Sequence, residues 1–184
     1  MQRALNLHPQ SRCDVLTGVE ATIARSGDGR LALRFLVLGA TPDLALPTPA
    51  APERTDGLWR HTCFEVFLRP PTGEAYVELN LSPSTQWAAY RFDGYRQGAA
   101  AQALAAAPRI AFGPAGDGFE LIALLDLGQV ADLSATAPWR VGLSAVIEDA
   151  RGGIAYWALA HPPGKADFHH ADGFTLDLAP TDLP

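Results

Sequence analysis

The sequence predicts an all-β chain: an antiparallel, immunoglobulin-like β-sandwich of about ten strands with one or two short helices. Three observations carry this. Short apolar segments recur at roughly ten-residue spacing, Gly/Pro turns separate them, and almost no stretch holds a helical period over the 10–15 residues that parallel crossovers need. The chain has 184 residues, enough to bury a core as one domain spanning 1–184.

Taken in order, Val15 to Ala24 alternates loosely, and Gly27-Asp28-Gly29 supplies a turn. Leu31 to Leu38 is a mostly buried strand, so this pair is expected to form a hairpin. Gly39 to Gly57 carries four prolines and no period, which suits a lid, a binding loop or an exposed insertion. His61 to Leu68 and Ala75 to Leu81 form the clearest hairpin, followed by a strand from Gln86 to Asp93. Alanine-rich Gly98 to Ala107 is expected to make one or two helical turns, ended by Pro108. Strands follow over Arg109 to Phe112 and Gly118 to Leu125. Asp126 to Ser134 is a candidate short helix. Arg140 to Glu148, Ile154 to Ala160 and Phe174 to Leu178 complete the set.

Composition narrows function. Apolar residues make up 48% and charged residues 18%, which suits a packed globule. The net charge of −6 argues against nucleic acid as a partner, because phosphate binding needs a basic face. No apolar run is long enough for a transmembrane helix. Met1 to Pro9 lacks a signal-peptide core, so a cytoplasmic location is expected. Cys13 and Cys63 form no metal-binding pair and are expected to be free thiols. Nucleotide-binding, serine-hydrolase and zinc-protease signatures are absent.

Strand alternation sorts side chains onto two faces. Phe64, Val66 and Leu68 share one face with Val77, Leu79 and Leu81. The opposite face carries His61, Cys63, Glu65 and Phe67 beside Tyr76, Glu78, Asn80 and Ser82. Carboxylates, an amide and aromatics together suit a flat polar ligand such as a sugar, whose C–H face packs on a ring while planar polar groups read its hydroxyls. Arg34 is expected to pair with Glu65 or Glu78. Trp59, Trp87, Tyr90, Tyr95, Tyr156 and Trp157 gather near this face in sequence, while Trp139 reads as core.

The segments Trp59-Arg60-His61-Thr62-Cys63-Phe64-Glu65-Val66-Phe67-Leu68 and Ala75 to Pro83 resemble the DOMON-like and family 9 carbohydrate-binding-module-like β-sandwiches. Phe119 to Leu127, Trp139 to Leu143, Tyr156 to Leu159, Asp167 to His170 and Gly173-Phe174 extend the likeness over about residues 12–178, most nearly to a bacterial DOMON-like subgroup. The resemblance implies a noncatalytic ligand-binding sandwich that holds a terminal sugar between two tryptophans. Trp59 is similar to the first tryptophan, and Trp157 is the candidate for the second. Some DOMON domains hold haem through Met and His. The sole methionine here is Met1, leaving only bis-histidine ligation through His61, His161 or His169, and no cofactor is expected.

His161 to His170 contains three of the five histidines and the sole lysine, Lys165. A metal site from His161, Asp167 and His169 or His170, a His-based catalytic set, a ligand rim of Lys165 and His169, and a purely structural loop are the competing readings. No metal is expected. The expected ligand-binding set is therefore Trp59, Glu65, Glu78, Asn80, Trp87, Trp157, Arg34, His61, Tyr76, Lys165 and His169, with a small-molecule ligand, possibly a sugar. Two alternatives stand beside this: a protein-interaction or self-association module on the same face, and a glycosidase-like enzyme using Glu65 and Glu78.

Overall fold

Leu31, Leu33, Phe35 and Val37 are buried while the residues between them are half exposed, so one strand face seals a core and the other meets solvent. That period-two pattern runs through most of the chain. The computed structural model describes residues 1–39, 41–131, 133–134 and 136–180. Among them twelve strands form: β1 (Gln2–Leu7), β2 (Leu16–Arg25), β3 (Arg30–Gly39), β4 (Cys63–Arg69), β5 (Tyr76–Leu81), β6 (Trp87–Phe92), β7 (Ala100–Ala101), β8 (Arg109–Ala115), β9 (Gly118–Asp126), β10 (Trp139–Glu148), β11 (Ile154–Ala158) and β12 (Leu176–Leu178). The only helical pieces there are three single-turn 3₁₀ segments, Thr41–Asp43, Leu58–Arg60 and Ala171–Gly173.

Every pairing between these strands is antiparallel, in the order β7-β6-β5-β4-β10-β11-β1-β2-β3-β9-β8, with β12 added to β10. The sheet curls until its two arms face each other. Phe35 of β3 meets Phe64 of β4 with ring centroids 4.9 Å apart, and Phe119 of β9 closes on Phe64 at 6.2 Å. The seam is β1. Its residues Gln2 to Leu5 pair with β2, while Asn6 and Leu7 pair with β11, so one short strand belongs to both arms. The expected sandwich is thus one continuous all-β antiparallel sheet, curled on itself.

Three local expectations need correction. The alanine-rich segment is not helical. Ala100 and Ala101 pair with Arg91 and Tyr90 as an exposed edge strand, because ten residues without an apolar face cannot repay helix nucleation. The described part of Asp126 to Ser134 is a run of turns closed by Val130 N–H to Leu127 C=O and Leu133 N–H to Val130 C=O; Asp132 lies outside the described residues. The segment 39–57, of which residue 40 lies outside them, is strapped down. Leu44 bridges to Asp149, Ala50 N–H donates to Ser84 C=O, and Arg54 bridges to Trp87.

Turn chemistry matters most at Gly29, which has φ +86° and no room for a side chain, since a Cβ there would come within 2.7 Å of the Gly128 backbone. Trp139 is fully buried, as expected, and the Arg25 guanidinium stacks 3.5 Å from its ring while donating to the carbonyls of Ser134 and Ala137.

β4 and β5 are buried on both faces. Their inner face joins the main core. Their outer face is covered by Leu58–Arg60 on one side and by the 161–174 segment on the other, forming a second cluster of Phe67, Tyr76, Phe92 and Phe174. That covering is incomplete, and the gap is the candidate site.

Candidate functional site

Register brings the polar residues together. Glu65 pairs with Asn80 on β5 and with Ser144 on β10, so three polar side chains lie in one row across the sheet. One row away, Glu78 lies between Tyr90 and Phe67. These rows floor a cleft of about 840 Å³. Its lining includes Asp56, Trp59 and Arg60 at one wall, Tyr156 and Phe168 at another, and Arg96 and His169 between them. Trp59 stands at the mouth with 49% of its surface exposed. Its ring is thus available to a ligand entering the cleft.

The floor carboxylates are 3% (Glu65) and 5% (Glu78) exposed. Asn80 donates its Nδ2–H to Glu78 at 2.7 Å, and the Ser144 hydroxyl reaches Glu65 at 3.5 Å. Burial, and then the neighbouring Glu78, push Glu65 well above the usual carboxylate range. Burial also raises Glu78, against the opposing effects of Asn80 and Arg96. Burial thus biases the pair toward keeping a proton.

His169 sits at the centre of the aromatic cluster, with ring centroids 5.2 Å from Phe67 and 5.1 Å from Phe92. Its Nδ1 lies 2.8 Å from the Tyr76 hydroxyl and its Nε2 lies 3.8 Å from Glu78. Tyr76 also accepts from Arg96 N–H at 3.2 Å, which leaves its own proton free to be donated to Nδ1 in the tautomer that carries its hydrogen on Nε2. In that tautomer the Nε2–H points toward Glu78. Burial, with the Arg96 charge, lowers His169 to about 4, so the ring is neutral at pH 7. Arg96 is itself tied to Asp167 at 2.8 Å, and Tyr95 OH donates to the same carboxylate.

The Trp59 wall is built from the strapped segment. Arg54 pairs with Asp56 at 2.8 Å, and Asp56 accepts from Tyr90 OH at 2.6 Å. Those bonds fix 54–60 against β6. Arg60 lies 5.3 Å over the Trp59 ring.

Several expected residues lie elsewhere. Trp157 does not face the cleft; it is 6% exposed in the main core, and its neighbour Tyr156 takes the cleft side, because adjacent strand residues point opposite ways. Arg34 pairs with Glu120 at 2.6 Å on the far arm, not with Glu65 or Glu78. Trp87 packs against the main core. His61 pairs with Glu148 at 2.7 Å outside the cleft. Asn80 and Tyr76 are buried supports for Glu78 and His169, not lining. Lys165 lines a separate cavity of about 380 Å³ with Tyr95, Arg96 and His170.

The proposed metal ligands do not converge: His161 bonds Asn6 C=O, Asp167 bonds Arg96, and His169 bonds Tyr76. Among the described residues no group of three or more His, Cys, Asp or Glu is placed to hold a metal. Cys63 and Cys13 are free, and burial drives the Cys63 thiol well above its ordinary value, which leaves it inert as a nucleophile. Residues the sequence did not single out are Asp56, Arg60, Phe92 and Arg96. Arg60 adjoins Trp59, which was a usable signal. Arg96 comes from a tight turn with φ 54°, and no pattern marks it.

Comparison with known proteins places the fold. A crystal structure of a proposed carbohydrate-binding protein from Bacteroides uniformis superposes with a TM-score of 0.72 at 11% identity, covering 98% of this chain and 86% of that one. Family 9 carbohydrate-binding modules from Caldicellulosiruptor kristjanssonii, solved with glucose and with cellotriose, each give 0.57 at 11% identity, covering 98% of this chain and 85% and 83% of theirs. The chain shares their fold. No family model matches it, and no curated protein matches it by sequence.

Proposed function

We propose that the chain is a noncatalytic binding protein for a carbohydrate or a similar small polar ligand, held in the cleft above Glu65 and Glu78. The observation that carries this is an exposed Trp59 beside two buried carboxylates in an open cleft of about 840 Å³. Trp59, Tyr156 and Phe168 offer ring faces to the C–H side of a sugar. Glu65, Glu78, Arg96 and the Nε2–H of His169 offer acceptors and donors to its hydroxyls. The solved neighbours with this fold include modules bound to glucose and cellotriose, which supports the same class of ligand.

A glycosidase reading is weaker on geometry. Hydrolysis needs two carboxyl groups flanking the scissile bond from different sides. Glu65 and Glu78 rise from one sheet floor in neighbouring rows. A protein-docking reading on this face is weaker because the polar groups lie sunken in a cleft rather than on a flat patch.

The test is a screen of monosaccharides and short glycans by intrinsic tryptophan fluorescence. Trp59→Ala is expected to lose binding at least tenfold, and Tyr156→Ala to weaken it. Ligands that bind Trp59→Ala as well as the wild type would sink the cleft assignment.

A further inference from the structure

Two buried carboxylates in one floor need a counter-charge. Among the described residues no lysine or arginine makes an ion pair with Glu65 or Glu78, and Arg96 acts on both only from beyond ion-pair distance. The Arg96 guanidinium is paired with Asp167 at 2.8 Å. His169, 3.8 Å from Glu78, is neutral. Hydrogen bonding is thin as well. Ser144 at 3.5 Å is the one bond given to Glu65, which is only 3% exposed yet lines the cleft.

We infer that the cleft selects sugars bearing a free, protonated amine, with the ammonium held by Glu65 and Glu78 and the ring on the aromatic wall. This rests on the carbohydrate-binding role proposed above and narrows its ligand class. An ammonium brings three N–H donors to the two carboxylates and supplies the missing charge. A hydroxyl in the same place brings one donor and no charge. Any proton that burial keeps on the pair leaves to solvent when the ammonium docks, so charge on the floor stays balanced.

The test is titration calorimetry on the wild-type chain at a pH where the amine is protonated, with matched probes: glucosamine against glucose and N-acetylglucosamine, and galactosamine against galactose and N-acetylgalactosamine. The expected result is about a tenfold or greater preference for the free amine. It should be accompanied by proton release, seen as a buffer-dependent binding enthalpy absent with the parent sugar. In Glu65→Gln and Glu78→Gln the preference should fall to near parity. A parent sugar bound as well as its amine overturns the inference and leaves the carbohydrate reading standing. No binding by any probe counts against both. A preference that persists in both Gln variants, checked by circular dichroism for folding, also overturns it, because the amine would then be read elsewhere. Should either variant fail to fold, the preference of the wild type for each amine over its parent and N-acetyl sugars decides alone.

Discussion

The hydroxyl of Tyr76 and Nδ1 of His169 lie 2.8 Å apart, and that contact sets which face of the imidazole meets the cleft. Tyr76→Phe removes the donor and leaves Nδ1 buried without a partner. The expected cost is about 1–2 kcal/mol in urea unfolding. Nitrogen shifts of the His169 ring should change from a single Nε2–H tautomer to a mixture. Unchanged shifts would mean the tautomer is fixed by something else.

His169 should destabilise the fold on the acid side. Its folded value, about 4, lies below the ordinary 6.5 of the unfolded chain. Between those values the unfolded state binds more protons, so stability falls as pH drops from 6.5 toward 4. The limiting slope is about 1.4 kcal/mol per pH unit. His169→Gln should flatten that limb of a stability-against-pH curve. An identical limb in the variant would assign the acid sensitivity to another group.

Glu65 acts in the opposite sense. Its raised folded value means the native state keeps a proton that the unfolded chain loses as pH rises above about 4.5. Stability contributed by the neutral form is therefore lost as pH climbs toward the folded value. Glu65→Gln should gain on the wild type as pH rises above about 4.5. A constant difference across that range would show that Glu65 is ionised in the fold.

The two tryptophans make a contrast. Trp157→Ala removes a buried core side chain and should cost about 3–5 kcal/mol. Trp59→Ala removes a half-exposed ring and should change stability by less than about 0.5 kcal/mol. Comparable losses in unfolding experiments would mean Trp59 is structural.

Much of the floor was legible because period two is unambiguous when polar and apolar residues alternate. Glu65, Glu78 and Asn80 interleave with Phe64, Val66, Leu79 and Leu81, and the structure keeps that parity. Tyr156-Trp157 shows where the method stops. Both residues are large and aromatic, so composition does not say which faces inward, and a one-residue shift exchanges them. Arg34 shows a second limit, since alternation gives a face but not the arm of the sheet on which that face lies. Arg96 and Phe168 reach the cleft from turns distant in sequence, and only the folded path brings them there.

β1 pairs with β2, a neighbour in sequence, and with β11, some 150 residues later, as in Asn6 opposite Ala158. On the ribosome the β4–β5–β6 meander can therefore form while its sheet neighbours β10 and β11 are still unmade. The floor row through Glu65 is completed only when Ser144 emerges, and the aromatic wall only with Tyr156 and Phe168. Until then two buried-to-be carboxylates stay in water, ionised and repelling each other. Closure of the seam is thus a late event, because β1 waits for β11 to be made.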